Sequence, residues 1–155
     1  MRLTIVAVGR LRAGPEQALV EAYLKRLGPG ATLREVAETR AREATLRRAG
    51  ENRLLRQAIP RGARVVALDA RGQTLTSEAF ARRLGGWRDG GVGEVAFLIG
   101  GAEGLEAETL DAADLVLSLG AMTWPHLLAR VMLAEQLYRA MSILAGHPYH
   151  RAGQG

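Results

Sequence analysis

The sequence predicts an α/β fold in which helices flank a mainly parallel sheet, and two observations carry this prediction. Short apolar runs typical of buried strands alternate along the chain with longer stretches of helical periodicity. Strands separated by helices need crossover connections, which join parallel neighbours. The chain has 155 residues, the size of one domain, and its sequence shows no repeat, low-complexity tract or linker. We therefore expect residues 1–155 to form a single domain.

Each element has its own local signal. Apolar runs predict strands at Leu3–Val8, Ala31–Glu38, Val65–Asp69, Glu94–Ile99 and Asp114–Leu119. The spacing of apolar residues predicts helices at Pro15–Leu27, Arg40–Ala58, Thr76–Leu84, Glu106–Ala113 and Leu127–Ala145. The run Gly28-Pro29-Gly30 ends the first helix, and Gly50 weakens the second. Thr76 suits the N-cap of the third helix, whose first turn holds Glu78, where the helix dipole favours a negative charge.

The composition excludes several classes of site. The chain has no cysteine, which rules out disulfides, thiol catalysis, zinc ribbons and iron–sulfur clusters. His147 and His150 are spaced like metal ligands, but Pro148 prevents a helical pair and no nearby carboxylate completes a set, so we expect no metal. The N-terminal apolar run of about six residues is too short for a signal peptide or a membrane span. We expect a soluble, cytoplasmic protein without a membrane partner.

The basic charge of the chain favours a nucleic-acid partner. The formal net charge is +5, and 20 of the 21 basic residues are arginine, which binds phosphate through two parallel hydrogen bonds. Residues 34–64 hold nine arginines, Arg40 and Arg47 among them, against four glutamates. This local excess predicts one basic surface. The alternatives are a solvated helix face and a GC-rich coding sequence as the source of the arginines.

Two loops follow predicted strands at their carboxyl ends, where ligands bind in open parallel sheets. The first, Gly100–Gly104, holds three glycines, whose bare backbone can approach a ligand closely. Its spacing is neither the dinucleotide fingerprint nor a phosphate-binding loop. The second, Leu117–His126, offers Leu119, Met122 and Trp124, which suit an apolar ring such as adenine. Side by side, the loops would wall a pocket; a tight turn and ordinary core packing are the alternatives.

The long C-terminal helix carries an arginine on its apolar side. At about 100° per residue, Arg130 points into the arc of apolar side chains, so it needs a buried partner. Glu135, Arg139 and Ser142 lie on the opposite side. Further apolar residues outside the main arc predict either deep burial or packing on another subunit. We favour the seam of a homodimer.

The tail that follows this helix adds side chains suited to RNA recognition. Gly146 and Pro148 end the helix, and Tyr149, His150 and Arg151 come directly after them. Tyrosine and histidine stack on bases and arginine binds phosphate, so this trio suits contact with RNA.

Four segments in this order resemble those of one family, the RlmH family of ribosomal RNA large-subunit methyltransferases of the SPOUT class. The segments are Phe97–Leu105, Leu117–His126, Arg130–Ala140 and His147–Arg151. The N-terminal Leu3–Gly9 and the chain length also fit, so the resemblance covers nearly the whole chain. The departures are Ala102 where proline is common, Trp124 where a smaller aliphatic residue is common, and the extension Ala152–Gly155.

The resemblance implies a fold, a cofactor and a substrate. The fold would have a deep C-terminal trefoil knot, and the protein would be a homodimer that binds S-adenosylmethionine in a bent form. Its reaction would be methylation of N3 of a pseudouridine in helix 69 of 23S rRNA, on assembled ribosomes. Carried over by motif, the cofactor-binding residues are Leu68, Gly100, Leu119, Gly120, Ala121, Met122, Thr123 and Trp124.

The chemistry of that reaction selects catalytic candidates. The N3 proton must leave before the nitrogen attacks well, so a base or a stabilising cation is needed. His150 is the first candidate for proton acceptor, because histidine titrates near neutrality. Arg139 would orient Glu135 or bind the oxygens of the base, and Tyr149 completes the set; if the tail reaches the neighbouring subunit's pocket, each site is shared. The RNA-binding candidates are Arg40, Arg47 and Arg151.

Two rival functions fit part of the sequence. One is a basic RNA-binding or ribosome-binding module without catalysis, whose glycine loop is merely structural. The other is an unrelated nucleotide-binding enzyme, which would need a phosphate-type glycine motif that this sequence lacks.

Overall fold

A computed structural model describes residues 1–151, which form a five-stranded parallel sheet with helices on both faces. In chain order the elements are β1 (Arg2–Val8), α1 (Pro15–Leu27), β2 (Ala31–Val36), α2 (Ala44–Ala58), β3 (Arg64–Thr74), α3 (Ser77–Asp89), β4 (Glu94–Ile99), α4 (Ala107–Asp111), β5 (Leu115–Ser118) and α5 (His126–Leu144). The predicted α/β class is confirmed. The extension Ala152–Gly155 lies outside the described residues.

The strands lie in the order β2-β1-β4-β3-β5, and each neighbouring pair is parallel. The central strand β4 is buried along its whole length, because helices cover both of its faces. Side chains alternate between those faces: Ile5 and Phe97 pack with α1, α3 and α5, while Val6 and Leu98 pack with α2. Because the strands are parallel, their carboxyl ends share one edge of the sheet.

Two helix boundaries differ from the prediction. The helix α2 begins at Ala44 rather than at Arg40, and α3 continues by more than a turn beyond its predicted end. Side chains hold the segment before α2 in an irregular path: the Thr39 N–H donates to Glu51 Oε1 over 3.2 Å, and the Thr39 hydroxyl donates to the Arg47 carbonyl oxygen over 3.0 Å. These long-range bonds replace the first helical turn that the local pattern predicts.

The strand β3 continues beyond its predicted end at Asp69. Its ladder with β5 breaks after Leu68 and resumes at Gln73. A methyl group on Gly72 would lie 2.5 Å from the carbonyl oxygen of Val116 in β5. The chain returns to the sheet there because glycine permits this close approach of two backbones.

The prediction of an inward-pointing Arg130 with a partner is confirmed. The side chain is fully buried, and its Nη2 donates to the carbonyl oxygens of Val8 and, over 2.8 Å, Gly9. Its Nη1 donates to Glu35 Oε2 over 3.2 Å. Burial lowers the pKa of the Arg130 guanidinium, and the Glu35 carboxylate opposes that shift. The arginine therefore fastens α5 to the carboxyl ends of β1 and β2.

The helix α5 packs against α1 and α3, so contacts within one protomer cover part of its apolar surface. Ser142, predicted opposite Arg130, is buried as well, whereas Leu128 is 39% exposed. None of the helices in residues 1–151 is long and apolar enough to span a membrane. The C-terminal trefoil knot stays a prediction.

Candidate active site

A cavity of about 230 Å³ opens at the carboxyl edge of the sheet, and we name it the glycine cavity. Its walls come from the middle of β3 where its ladder breaks, from the end of β4 and the glycines that follow it, from the loop of residues 119–125 and from the start of α5. Seven of the eight predicted cofactor-binding residues line it, namely Leu68, Gly100, Leu119, Gly120, Met122, Thr123 and Trp124. The eighth, Ala121, is exposed in the same loop.

The glycine loop, residues 100–104, has a turn that only glycine fits. A methyl group on Gly100 would lie 2.9 Å from the Gly104 carbonyl carbon, and one on Gly101 would lie 2.7 Å from Glu51 Oε2. Gly104 has a φ of 75°, which residues with side chains rarely adopt. The tight turn that the sequence left as an alternative is therefore present, and it forms one wall of the glycine cavity.

The helix α2 supports this loop from behind with a residue that the sequence prediction missed. Asn52 is fully buried; its Nδ2 donates to the Gly104 carbonyl oxygen over 3.1 Å, and its Oδ1 accepts from the Glu106 N–H over 2.9 Å. Asn52 shares a helix face with the buried Leu55, three residues on, and that spacing is the signal that could have found it.

The loop of residues 119–125 presents apolar side chains beside the cavity. The Gly120 N–H donates to Ser118 Oγ over 3.1 Å, and Trp124 Nε1 donates to the Leu119 carbonyl oxygen over 3.3 Å, so the loop folds back on itself. Met122 is 74% exposed and Trp124 is 42% exposed. Exposed apolar groups that lie together mark a surface that a ligand or another protein covers.

A second cavity of about 470 Å³ lies between α1, α3 and α5, and we name it the apolar cavity. Leu19 and Phe80 contribute to its apolar wall, and Glu135 reaches it from α5. Leu119 and Gly120 line both cavities, so the turn that follows β5 lies between them.

The four predicted catalytic residues form one connected group, the tail cluster, which consists of Glu135, Arg139, Tyr149 and His150. Arg139 Nε donates to Glu135 Oε1 over 2.9 Å, and the Tyr149 hydroxyl donates to the same oxygen over 3.1 Å. Arg139 Nη1 lies 3.2 Å from His150 Nδ1, and His150 Nε2 lies 2.8 Å from Glu78 Oε1. Among residues 1–151, neither this cluster nor another has the converging side chains of a metal site.

These contacts fix the protonation pattern of the tail cluster. A guanidinium has donors only, so His150 Nδ1 accepts from Arg139 and His150 Nε2 carries the hydrogen that Glu78 accepts. The pKa of Glu78 is lowered by a bond from its own backbone N–H and then by His150. Burial, with a smaller effect of the Glu135 carboxylate, raises the pKa of Tyr149, so its phenol stays protonated at neutral pH.

The tail cluster and the glycine cavity lie toward opposite ends of α5. His150 contacts Arg139, ten residues along the helix from Ala129, which lines the glycine cavity. Ten helical residues span about 15 Å. The tail cluster therefore lies along a part of α5 beyond the turns that border the glycine cavity.

The three predicted RNA-binding arginines have different surroundings. Arg40 and Arg151 are exposed, and Arg40 lines a groove at the carboxyl edge of the sheet. Arg47 is engaged within the protein: it donates to the Ala41 carbonyl oxygen over 3.0 Å and pairs with Glu103 over 2.7 Å. Arg47 thereby ties the segment before α2 to the glycine loop.

Comparison with known proteins agrees with this architecture. The model of a family described as "Predicted SPOUT methyltransferase" matches residues 1–150. A Rhodospirillum centenum protein named ribosomal RNA large subunit methyltransferase H is 59% identical over 152 residues, which cover 98% of this chain and all of that relative. A Paramagnetospirillum magneticum protein of the same name is 54% identical over 151 residues, with 97% and 99% covered.

A solved structure is similar in fold. The probable methylase family protein of Haemophilus influenzae Rd KW20 superposes with a TM-score of 0.62 at 14% identity, covering 99% of this chain and 72% of that one. The fold and the family model together define an enzyme of the SPOUT methyltransferase class. Its near full-length relatives show that the chain belongs to the family of ribosomal RNA large subunit methyltransferases H.

Proposed function

We propose that the protein transfers a methyl group from S-adenosylmethionine to N3 of a pseudouridine in helix 69 of 23S rRNA, on assembled ribosomes and as a homodimer. The observation that carries this proposal is the 59% identity along the whole length of a relative whose name states methyl transfer to large-subunit ribosomal RNA. The choice of nucleotide follows from the motif resemblance. The position of the glycine cavity at the carboxyl ends of parallel strands supports ligand binding there.

The residues around the glycine cavity fit such a cofactor. Leu119, Met122 and Trp124 offer apolar surface for an adenine ring. Gly100 and Gly101 also line the cavity, and the loop packs closely on Gly104 and Glu51 because neither position carries a side chain. S-adenosylmethionine supplies an electrophilic methyl group on a positively charged sulfur. The proposed binding set is completed by Leu68, Gly120, Ala121 and Thr123.

The tail cluster prepares the nucleophile. The imide N3 carries a proton, and His150 accepts it through Nδ1, which becomes free when Arg139 Nη1 exchanges His150 for an oxygen of the base while Nε stays on Glu135. Tyr149 stays protonated, so it donates a hydrogen bond and does not act as the base. Glu135 holds Arg139 and Tyr149 in place through one oxygen. A positioned proton acceptor contributes about 10²–10⁴-fold to such a step.

The active site is shared between two copies of the chain. Arg139, which contacts His150, lies about 15 Å along α5 from Ala129 at the glycine cavity, and this offset supports a site in which the tail of one copy serves the cavity of the other. The seam forms from apolar side chains that are 39–74% exposed in the single chain, namely Leu19, Met122, Trp124 and Leu128. Burial of apolar area stabilises such a seam by about 25 cal/mol per Å².

The substrate RNA binds through exposed arginines. Arg40 and Arg151 are exposed and suit contact with phosphates, which position a nucleic acid without reading its sequence. Arg47 acts indirectly, because it holds the segment that carries Arg40. The net charge of +5 adds a general attraction for RNA that weakens with salt.

Mass spectrometry of helix 69 RNA from cells that lack the protein tests this function. We expect the pseudouridine to lose one methyl group and to regain it when the unaltered protein is supplied. Supplying Arg139→Ala should leave the methyl group absent, whereas Arg82→Ala, an exposed position on α3, should restore it. A methyl group that persists without the protein would contradict the proposed function.

Calorimetric titration with S-adenosylmethionine distinguishes the proposed enzyme from the rival RNA-binding module. A basic RNA-binding module without catalysis gives no heat of binding, whereas the proposed enzyme gives one site per chain. The same titration with Ala129→Phe, which fills the glycine cavity from α5, should give no heat if the cofactor binds there.

A further inference from the structure

The carboxylate of Asp69 brings a negative charge to the glycine cavity. Among the described residues that line this cavity, it is the sole acidic side chain, and the rest of the lining is aliphatic, aromatic, glycine, threonine and one histidine. The Asp69 side chain is 13% exposed. Asp69 comes directly after the point where the β3 ladder with β5 is interrupted, and it borders the cavity there.

Arg71 fixes the orientation of this carboxylate. The Arg71 N–H and Nε both donate to Asp69 Oδ1, over 2.9 and 2.8 Å, and Arg71 Nη2 donates to Oδ2 over 2.9 Å. The Arg71 side chain is 68% exposed to water, whereas the Asp69 side chain, which borders the cavity, is largely shielded. Water screens the outer charge far more than the inner one. The pair therefore presents a net negative end to whatever occupies the cavity.

The few hydrogen-bond acceptor positions left on the Asp69 carboxylate favour one kind of cation. A carboxylate has about four acceptor positions, and the three bonds from Arg71 fill most of them. Ammonium and hydroxyl groups need a free lone pair, whereas a sulfonium has no N–H or O–H and interacts through charge alone. A fixed, partly desolvated carboxylate with few lone pairs left suits a sulfonium.

We propose that Asp69 makes the glycine cavity selective for the charged sulfonium donor over the neutral thioether product, a role that rests on the proposed methyl-transfer function. In that transfer the methyl–sulfur bond breaks and its electron pair stays on sulfur, while the bond from N3 to the methyl carbon forms and the N3 proton passes to the base. Sulfur thus loses its charge, and with it the attraction to Asp69. The same carboxylate favours binding of the donor and release of the product.

Calorimetric titration with S-adenosylmethionine and with S-adenosylhomocysteine tests the selectivity. The variants are Asp69→Asn, which keeps the shape and removes the charge, and Asp69→Glu, which keeps the charge. Asp114→Asn is the matched control, because Asp114 also pairs with an arginine and accepts a backbone N–H but lies at the amino end of β5. We expect Asp69→Asn to bind S-adenosylmethionine about tenfold more weakly and S-adenosylhomocysteine almost unchanged. Asp69→Glu should keep most of the preference, and Asp114→Asn all of it.

If Asp69→Asn weakened the binding of both ligands equally, the proposal would be overturned. That result would mean that Asp69 makes a hydrogen bond to a part of the molecule that donor and product share. Unchanged affinity for both would overturn it as well. Asp69→Ser is a second variant without the charge, and it suits the fold because serine also accepts a backbone N–H in turns. We expect it to show the same ratio of the two affinities as Asp69→Asn. Failure of the proposed function is distinct, because the unaltered protein would then bind neither ligand.

Discussion

Arg130 illustrates how a single buried charge organises the fold. Its guanidinium is fully buried and reaches the carbonyl oxygens of Val8 and Gly9 and the carboxylate of Glu35. Val8 is the last residue of β1 and Gly9 follows it, so the arginine supplies donors to backbone carbonyl oxygens at the carboxyl end of this strand. One residue thus joins the start of α5 to the edge where the glycine loop lies.

Removal of this side chain should be severe. Arg130→Met keeps the length and apolar stem but leaves Glu35 without its ion-pair partner, and loss of one partner from a buried pair destabilises a protein by about 3–5 kcal/mol. We expect a loss near the lower bound, because Glu35 is 30% exposed and can be hydrated. Urea unfolding measures it, with Arg82→Met on the surface of α3 as the control. Equal midpoints for the two variants would refute the structural role of Arg130.

Asp69 gives a pH dependence whose sign follows from its ion pair. Hydrogen bonds from Arg71 hold the pKa of Asp69 below its ordinary value of 3.8. Because the folded pKa is lower than the unfolded one, the charged form stabilises the fold above about pH 4, and this contribution is lost as the pH falls further. The Tm gap between the unaltered protein and Asp69→Asn should be constant from about pH 8 to pH 5 and shrink below about pH 4. A gap that is the same at all pH values would contradict the pairing.

At the same scale, the residues of the site differ in how well sequence predicts them. Gly100, Gly101 and Gly104 stand out because glycines directly after an apolar run oppose regular structure. Asn52 has only its spacing from Leu55 as a signal and Asp69 has none, because their burial depends on neighbours that are distant along the chain. A polar residue at a functional position looks like any surface polar residue until its tertiary partners are known.

At the scale of elements, local periodicity predicts which segments form helices and strands but not how they are arranged. The buried run of β4 is recognisable because both faces of a central parallel strand are apolar. The order β2-β1-β4-β3-β5 has no local signal, since pairing depends on which edges meet. The return of β3 to β5 at Gln73 was missed for the same reason, because the polar segment after Asp69 carries no strand pattern.

A glycine substitution tests the close approach of β3 and β5, and a second glycine substitution in α3 serves as its control. Gly72→Ala puts a methyl group 2.5 Å from the Val116 carbonyl oxygen, and overpacking of this kind destabilises proteins by about 1–3 kcal/mol. Gly86→Ala lies in α3, where the new methyl group meets no other part of residues 1–151 within 4 Å, so higher helix propensity should stabilise the protein by about 1 kcal/mol. Thermal unfolding should therefore shift in opposite directions. A Gly72→Ala variant as stable as the unaltered protein would contradict the packing at this crossing.

At the scale of the whole molecule, the two parts of the proposed active site lie at different ends of one helix. The glycine cavity includes the start of α5, and the tail cluster surrounds its second half. In the proposed symmetric dimer, the cavity of each copy would be completed by the tail of the other. The apolar side chains exposed around the start of α5 give such a dimer the surface that it needs.

Mixed protomers measure the shared site most directly. Ala129→Phe blocks the glycine cavity and Arg139→Ala disables the tail cluster, so either variant alone should be inactive in methyl transfer to ribosomes. When the two are co-expressed, a mixed dimer has one site built from an intact cavity and an intact tail, and random pairing should restore about a quarter of the normal activity. Activity that stays at zero in the mixture, while each variant folds and dimerises, would show that cavity and tail act within one chain and would contradict the account.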